Sequence, residues 1–106
     1  MPGLDDAHDL IPTELAATMP RLYACDRETD PLVRVKLFTP DSSWTWFLYE
    51  FDPTERLAFG LVVGLESELG YVSLAELEAV RGPLGLRIER DLHWRPKPLS
   101  ACRPQV

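Results

Sequence analysis

WTWFLYEFDPTERLAFGLVVGL, residues 44 to 65, is the most apolar long stretch of this 106-residue chain, and a short polar corner divides it in two. The first part, residues 44 to 51, is built from the aromatic and branched residues that suit a pleated, packed surface. With the two-residue period of a strand, Trp44, Trp46 and Leu48 fall on one face and Phe47, Tyr49 and Phe51 on the other. Neither face reads as ordinary solvent surface. Two explanations stay open: a central strand packed on both sides, or a strand with one face committed to a partner. DPTE, residues 52 to 55, has turn chemistry, and beyond it Leu57, Phe59, Leu61 and Val63 lie opposite Ala58, Gly60 and Val62. So short a connection predicts an antiparallel hairpin.

Towards the N-terminus, VRVKLF at residues 33 to 38 alternates, with Val33, Val35 and Leu37 on one side and Arg34 and Lys36 on the other. TPDSS, residues 39 to 43, turns this strand into the next. IPTELAATM, residues 11 to 19, predicts one or two helical turns that begin at Pro12 and stop at Pro20. Residues 1 to 10, which include His8, read as a flexible tail, residues 101 to 106 as a second tail, and residues 11 to 100 as one domain.

Towards the C-terminus, Ser73 and Glu76 have the spacing of a capping box, and Leu74, Leu77 and Val80 give a short helix its apolar stripe. Gly82 is expected to end that helix in a left-handed conformation, and Pro83 discourages continuation. Leu86 and Ile88 then alternate with Arg87 and Glu89, as in a strand with one wet face. The expected fold class is α+β: a small, mainly antiparallel sheet over residues 33 to 38, 44 to 51 and 57 to 63, packed against one or two short helices.

Composition narrows the function classes. Hydrophobic residues make up 45% and charged residues 26%, which is globular rather than disordered. No apolar run approaches the roughly 18 to 20 residues that cross a bilayer, and the acidic start MPGLDDAHDL is unlike a secretory signal. A cytoplasmic protein without membrane contact is expected, with Cys25 and Cys102 unpaired. The formal charge of -6 is unevenly placed: residues 1 to 80 carry 15 acids and 5 bases, residues 81 to 106 carry 2 acids and 6 bases. Nucleic-acid binding through the bulk of the surface is disfavoured, while a basic patch at the C-terminal end remains open.

The segment Ile88 to Trp94 leaves most room for chemistry. If extended, it sets Glu89, Asp91 and His93 on one face, roughly 6 to 7 Å between neighbours, as a weak candidate metal site. Arg90 and Arg95 offer the simpler reading, surface ion pairs along a polar strand edge. The serines lack a nucleophile context, Gly60, Gly64 and Gly70 form no phosphate-cradling loop, and Cys25 has no nearby cysteine, so no catalytic set and no cofactor are assigned.

VKLFTP at 35 to 40, TWFLYEFDP at 45 to 53, AFGL at 58 to 61 and ELGYVSLAELEAVRGPLGLRIERDLHWRP at 68 to 96, followed by KPLS, resemble the bacterial family of domains of unknown function numbered 2958. The resemblance spans roughly residues 10 to 100, and VVGLES at 62 to 67 departs from the family's usual loop. It implies a single compact domain, often encoded on plasmids and other mobile elements, without an enzymatic activity to carry over. The leading expectation is a small non-enzymatic protein-interaction module, an accessory regulator or inhibitor, with Trp44, Trp46, Tyr49 or Trp94 as apolar anchor and an unidentified protein, or a second copy of the chain, as partner. The alternatives are a nucleic-acid adaptor using the basic C-terminal region, an acidic mimic of nucleic acid built on Asp41, Glu50, Asp52, Glu55, Glu66, Glu68, Glu76 and Glu78, and a metal-dependent hydrolase.

Overall fold

A strand apolar on both faces needs cover above and below its sheet, and segments from elsewhere in the chain supply it on each side. The computed structural model describes residues 9–103. In chain order its elements are helix α1 (Thr13–Ala16), strands β1 (Leu32–Val33), β2 (Val35–Phe38), β3 (Thr45–Asp52), β4 (Leu57–Val63) and β5 (Ser67–Ser73), helix α2 (Leu74–Ala79), strands β6 (Glu89–Arg90) and β7 (Lys97–Pro98), and a 3-10 turn (Leu99–Ala101). Five strands form one antiparallel sheet in the order β5-β4-β3-β2-β6, and β1 pairs separately with β7. The aromatic strand β3 is therefore the middle one, and the small α+β fold with its mainly antiparallel sheet stands as expected.

One face of the sheet, formed by Val35, Leu37, Trp46, Leu48, Phe51 and Ala58, is covered by Leu10, Ile11, Ala16 and Met19 of the N-terminal segment, by Leu74 and Leu77 of α2 and by Ile88. On the opposite face Tyr49 and Leu61 pack with Cys25, Val33 and Leu99, ringed by Phe47, Phe59, Val63, Trp94 and Cys102. Each fully buried Leu, Ile or Phe here contributes about 1.5–3 kcal/mol of transfer free energy. Leu10 belongs to this core and not to a tail; the rest of the expected N-terminal tail, residues 1–8 with His8, and residues 104–106 lie outside the described residues.

Two local breaks re-aim side chains against the simple alternation. Between Leu48 and Glu50 the β3–β4 register shifts by one residue, so Phe51 joins the face of Trp46 and Leu48 and leaves that of Phe47 and Tyr49. A Cβ on Gly60, opposite Leu48, would stand 2.1 Å from the Phe47 carbonyl oxygen, so the close approach of backbones at this bulge demands glycine. The neighbouring strand breaks beside it. Arg34 donates its amide to the Leu48 carbonyl at 3.0 Å, out of step with the Val35–Leu48 pair, and Val33 turns to the face opposite Val35 and Leu37.

Helix α2 begins as its sequence requires: Ser73 accepts the Glu76 amide at 3.3 Å and caps the helix. It ends one residue early. Val80 is extended, with φ -72° and ψ 142°, and stays exposed, so Leu74 and Leu77 alone form the buried stripe. Gly82 is not left-handed; among the described glycines that role falls to Gly85, at φ 85°, inside a tight loop in which Gly85 donates to Gly82 and Gly82 to Leu86. The strand expected from Leu86 shrinks to Glu89–Arg90, paired with β2, while Ile88 is buried beneath it.

Candidate functional site

Of the four aromatic anchor candidates, Trp46 at 7% exposure and Tyr49 are core residues and offer a partner no surface. Trp44, immediately before β3, keeps 40% of its surface exposed. Its position is determined from three sides. Its amide donates to the Thr39 hydroxyl and its carbonyl accepts the Thr39 amide, both at 3.0 Å. Its ring stacks on Trp46, with centroids 6.2 Å apart and planes 24° apart, and crowds the backbone of Gly64. A recess of about 280 Å³ opens beside it, lined by Trp44, Val62, Leu65, Glu66 and Glu68. The site is an ordered aromatic platform with an apolar wall and an acidic rim.

Trp94 occupies a different setting on the opposite face of the sheet. Its indole N–H donates to the Val33 carbonyl at 3.0 Å, and its ring lies 5.8 Å from Phe47. The ammonium groups of Lys97 and Lys36 sit 4.5 Å and 5.9 Å from the ring centroid, a cation–π arrangement that gathers positive charge at a half-buried aromatic.

The segment that would have aligned Glu89, Asp91 and His93 does not stay extended. Asp91 accepts the His93 amide at 2.9 Å and its carbonyl accepts the Trp94 amide, so the chain turns at Leu92 and His93 and loses the strand alternation. All three residues border one recess of about 430 Å³, together with Lys36, Phe38, Arg90 and Leu92. Among the described residues no group of three or more His, Cys, Asp or Glu is placed to hold a metal ion. Arg90 directs Nη1 of its guanidinium to the Leu10 carbonyl at 2.9 Å.

The acidic residues divide by task. Glu50, only 3% exposed, accepts the amides of Tyr23 at 3.0 Å and Cys25 at 2.8 Å and so holds the loop that carries Tyr23 at φ 71°. Asp41 accepts the amides of Leu84 and Leu86, Asp52 those of Thr54 and Glu55, and Glu78 binds Arg56 and the Leu10 amide. Four of the eight carboxylates in the mimic reading thus organise loops, and Glu66 and Glu68 remain at the rim of the Trp44 recess.

Sequence reasoning missed β5 and what lies on it. Tyr71 and Leu69 are about half exposed, and a chain of aromatic contacts runs outward from the core: Tyr49 to Phe59 at 5.7 Å, Phe59 to Tyr71 at 4.7 Å, Tyr71 to Tyr23 at 6.4 Å. The alternation of Glu68, Leu69, Gly70, Tyr71 and Val72 was the available signal. The hydrogen bond to Tyr23, followed by desolvation, pushes the Tyr71 phenol up to about 12. Burial, reinforced by Glu28 and Glu50, pushes the Cys25 thiol up to about 12, and burial also raises Cys102. Both thiols are free and neither is an activated nucleophile.

A family profile described as protein of unknown function (DUF2958) matches residues 10–102. The chain belongs to this family. As a DUF2958 protein it matches no curated protein and no solved structure. Among its described residues no helix is long and apolar enough to cross a membrane.

Proposed function

We propose that this DUF2958 chain is a non-enzymatic protein-recognition module, an accessory regulator or inhibitor, whose partner is anchored on Trp44. The half-exposed indole, braced by Trp46 and Gly64 and opening onto an apolar recess, carries the reading. An aromatic held in place before binding loses little entropy when covered, and such anchors dominate interface energetics. The rim of Glu66 and Glu68 favours a partner that offers an apolar side chain flanked by basic residues. The test is recovery of partners on the immobilised full chain, followed by titration of the purified partner. Trp44→Ala is expected to weaken binding by about 2 kcal/mol or more, roughly 30-fold in Kd, with the far-UV spectrum unchanged. Trp94→Ala should leave that affinity in place. A partner bound equally well by the Trp44→Ala chain refutes the assignment.

A second reading has its own observation. The two lysine ammonium groups at the Trp94 ring join an aromatic to positive charge, the combination that takes single-stranded nucleic acid. Binding of an oligonucleotide that weakens steeply with salt and is lost on Trp94→Ala would favour it over protein recognition.

A further inference from the structure

Strand β5 is a seven-residue sheet edge with Glu68 as its one charged residue and no bulge in its pairing with β4. It contains no proline or lysine, keeps continuous register with β4 from Ser67 to Ser73, and is largely exposed along its length. The direction of its backbone groups follows from the ladder. At its two ends, in the same register, Gly64 donates to the Glu66 carbonyl and Leu74 to the Arg56 carbonyl, each at 3.0 Å. Hydrogen-bonded pairs therefore recur at every second position, Val62–Glu68, Gly60–Gly70 and Ala58–Val72. The amides and carbonyls of Ser67, Leu69 and Tyr71 point away from β4, and among the described residues no backbone group pairs with them.

We infer that β5 pairs antiparallel with β5 of a second copy of this chain, about a twofold axis through Gly70, joining two five-stranded sheets into one. The segment SELGYVS is self-complementary in that register. Leu69 of each copy meets Tyr71 of the other in hydrogen-bonded pairs, so outward groups meet outward groups. Both apolar side chains, 44% and 49% exposed in the single chain, gain a cross-strand partner. Glu68 faces Val72, so no like charges stand opposite each other. Gly70 meets Gly70 at the close, non-hydrogen-bonded position on the axis, and nothing lies within 4 Å of where its Cβ would be. Twofold registers centred on Leu69 or Tyr71 place identical side chains on the axis and pair fewer of the seven residues. The contact shares Glu68 with the rim of the Trp44 recess, and it is read on the purified chain alone, without the recognition partner.

Sedimentation velocity of the full chain across the micromolar range tests it. The expected result is a concentration-dependent shift from monomer to dimer, strengthened by added salt because each copy carries a charge of -6. Leu69→Lys, a charge on the edge that leaves the β4 ladder intact, is expected to remain monomeric, with a thermal midpoint that no longer rises with protein concentration. Gly70→Cys in a Cys102→Ser background is expected to form a reducible, disulfide-linked dimer, since the paired positions fall within disulfide reach. A chain that stays monomeric throughout, a dimer untouched by Leu69→Lys, or a dimer that Gly70→Cys fails to cross-link each overturns the proposal.

Discussion

Trp44 rests on Gly64: a Cβ at that glycine would stand 2.3 Å from the indole carbon Cζ3. The exposed platform thus depends on a missing side chain 20 positions away in sequence. Gly64→Ala is expected to displace the ring from Trp46 while the sheet stays folded. Loss of the exciton signal of the stacked indoles in far-UV circular dichroism, with an otherwise native spectrum, is the readout, and an unchanged signal contradicts the arrangement.

Glu50 is the buried carboxylate on which the Tyr23–Cys25 loop hangs. Glu50→Ala leaves two amides without an acceptor and is expected to cost about 3 kcal/mol in urea denaturation. Glu50→Gln, which retains an acceptor oxygen, is expected to cost clearly less. Equal losses for the two variants would show that one acceptor oxygen in a side chain of the same shape does not hold the loop, and that both carboxylate oxygens are needed.

Asp41 and Gly82 are coupled in the same way as Trp44 and Gly64. A Cβ on Gly82 would fall 1.7 Å from Asp41 Oδ1, while Oδ2 of the same carboxylate holds the Leu84 and Leu86 amides. Gly82→Ala is expected to destabilise by about 1–3 kcal/mol. In an Asp41→Ala background that penalty is expected to shrink, and a double-mutant cycle measures the difference.

Alkaline pH is expected to weaken the fold. Cys25 and Tyr71 are both held near about 12, above the roughly 8.5 and 10 at which they ionise in an unfolded chain. A raised folded-state value means that the native chain keeps protons the unfolded chain releases, so this stabilisation is intact below the unfolded values and disappears as pH rises through the folded ones. The thermal midpoint is expected to fall between about pH 9 and about pH 12, with Cys25→Ala delaying the onset. A midpoint flat over that interval would show that neither group is held neutral by the fold.

Much of this architecture was legible in local pattern. The span of β4, the hairpin at Asp52 to Glu55, the Ser73 cap and the Leu74/Leu77 stripe each rest on contacts within a few residues, and turn chemistry and periodicity encode such contacts directly. The errors cluster where distant strands meet. The side chains of Val33 and Phe51 depend on paired irregularities at Arg34 and after Leu48, which arise only when two strands 14 residues apart in sequence are laid side by side.

By itself, the sequence determined that β3 needs cover on both faces, that the chain is α+β, and that charge is segregated towards its C-terminal end, because composition and two-residue periodicity are properties of the covalent chain. Only the tertiary structure decided that Trp46 and Tyr49 fill the core while Trp44 stays half exposed, that Asp91 turns His93 away from the strand pattern, and that β5 is left as an open edge. Exposure and unpaired backbone depend on what folds over a residue from elsewhere, and apolar burial favours any aromatic that fits without recording which of them will be left at the rim.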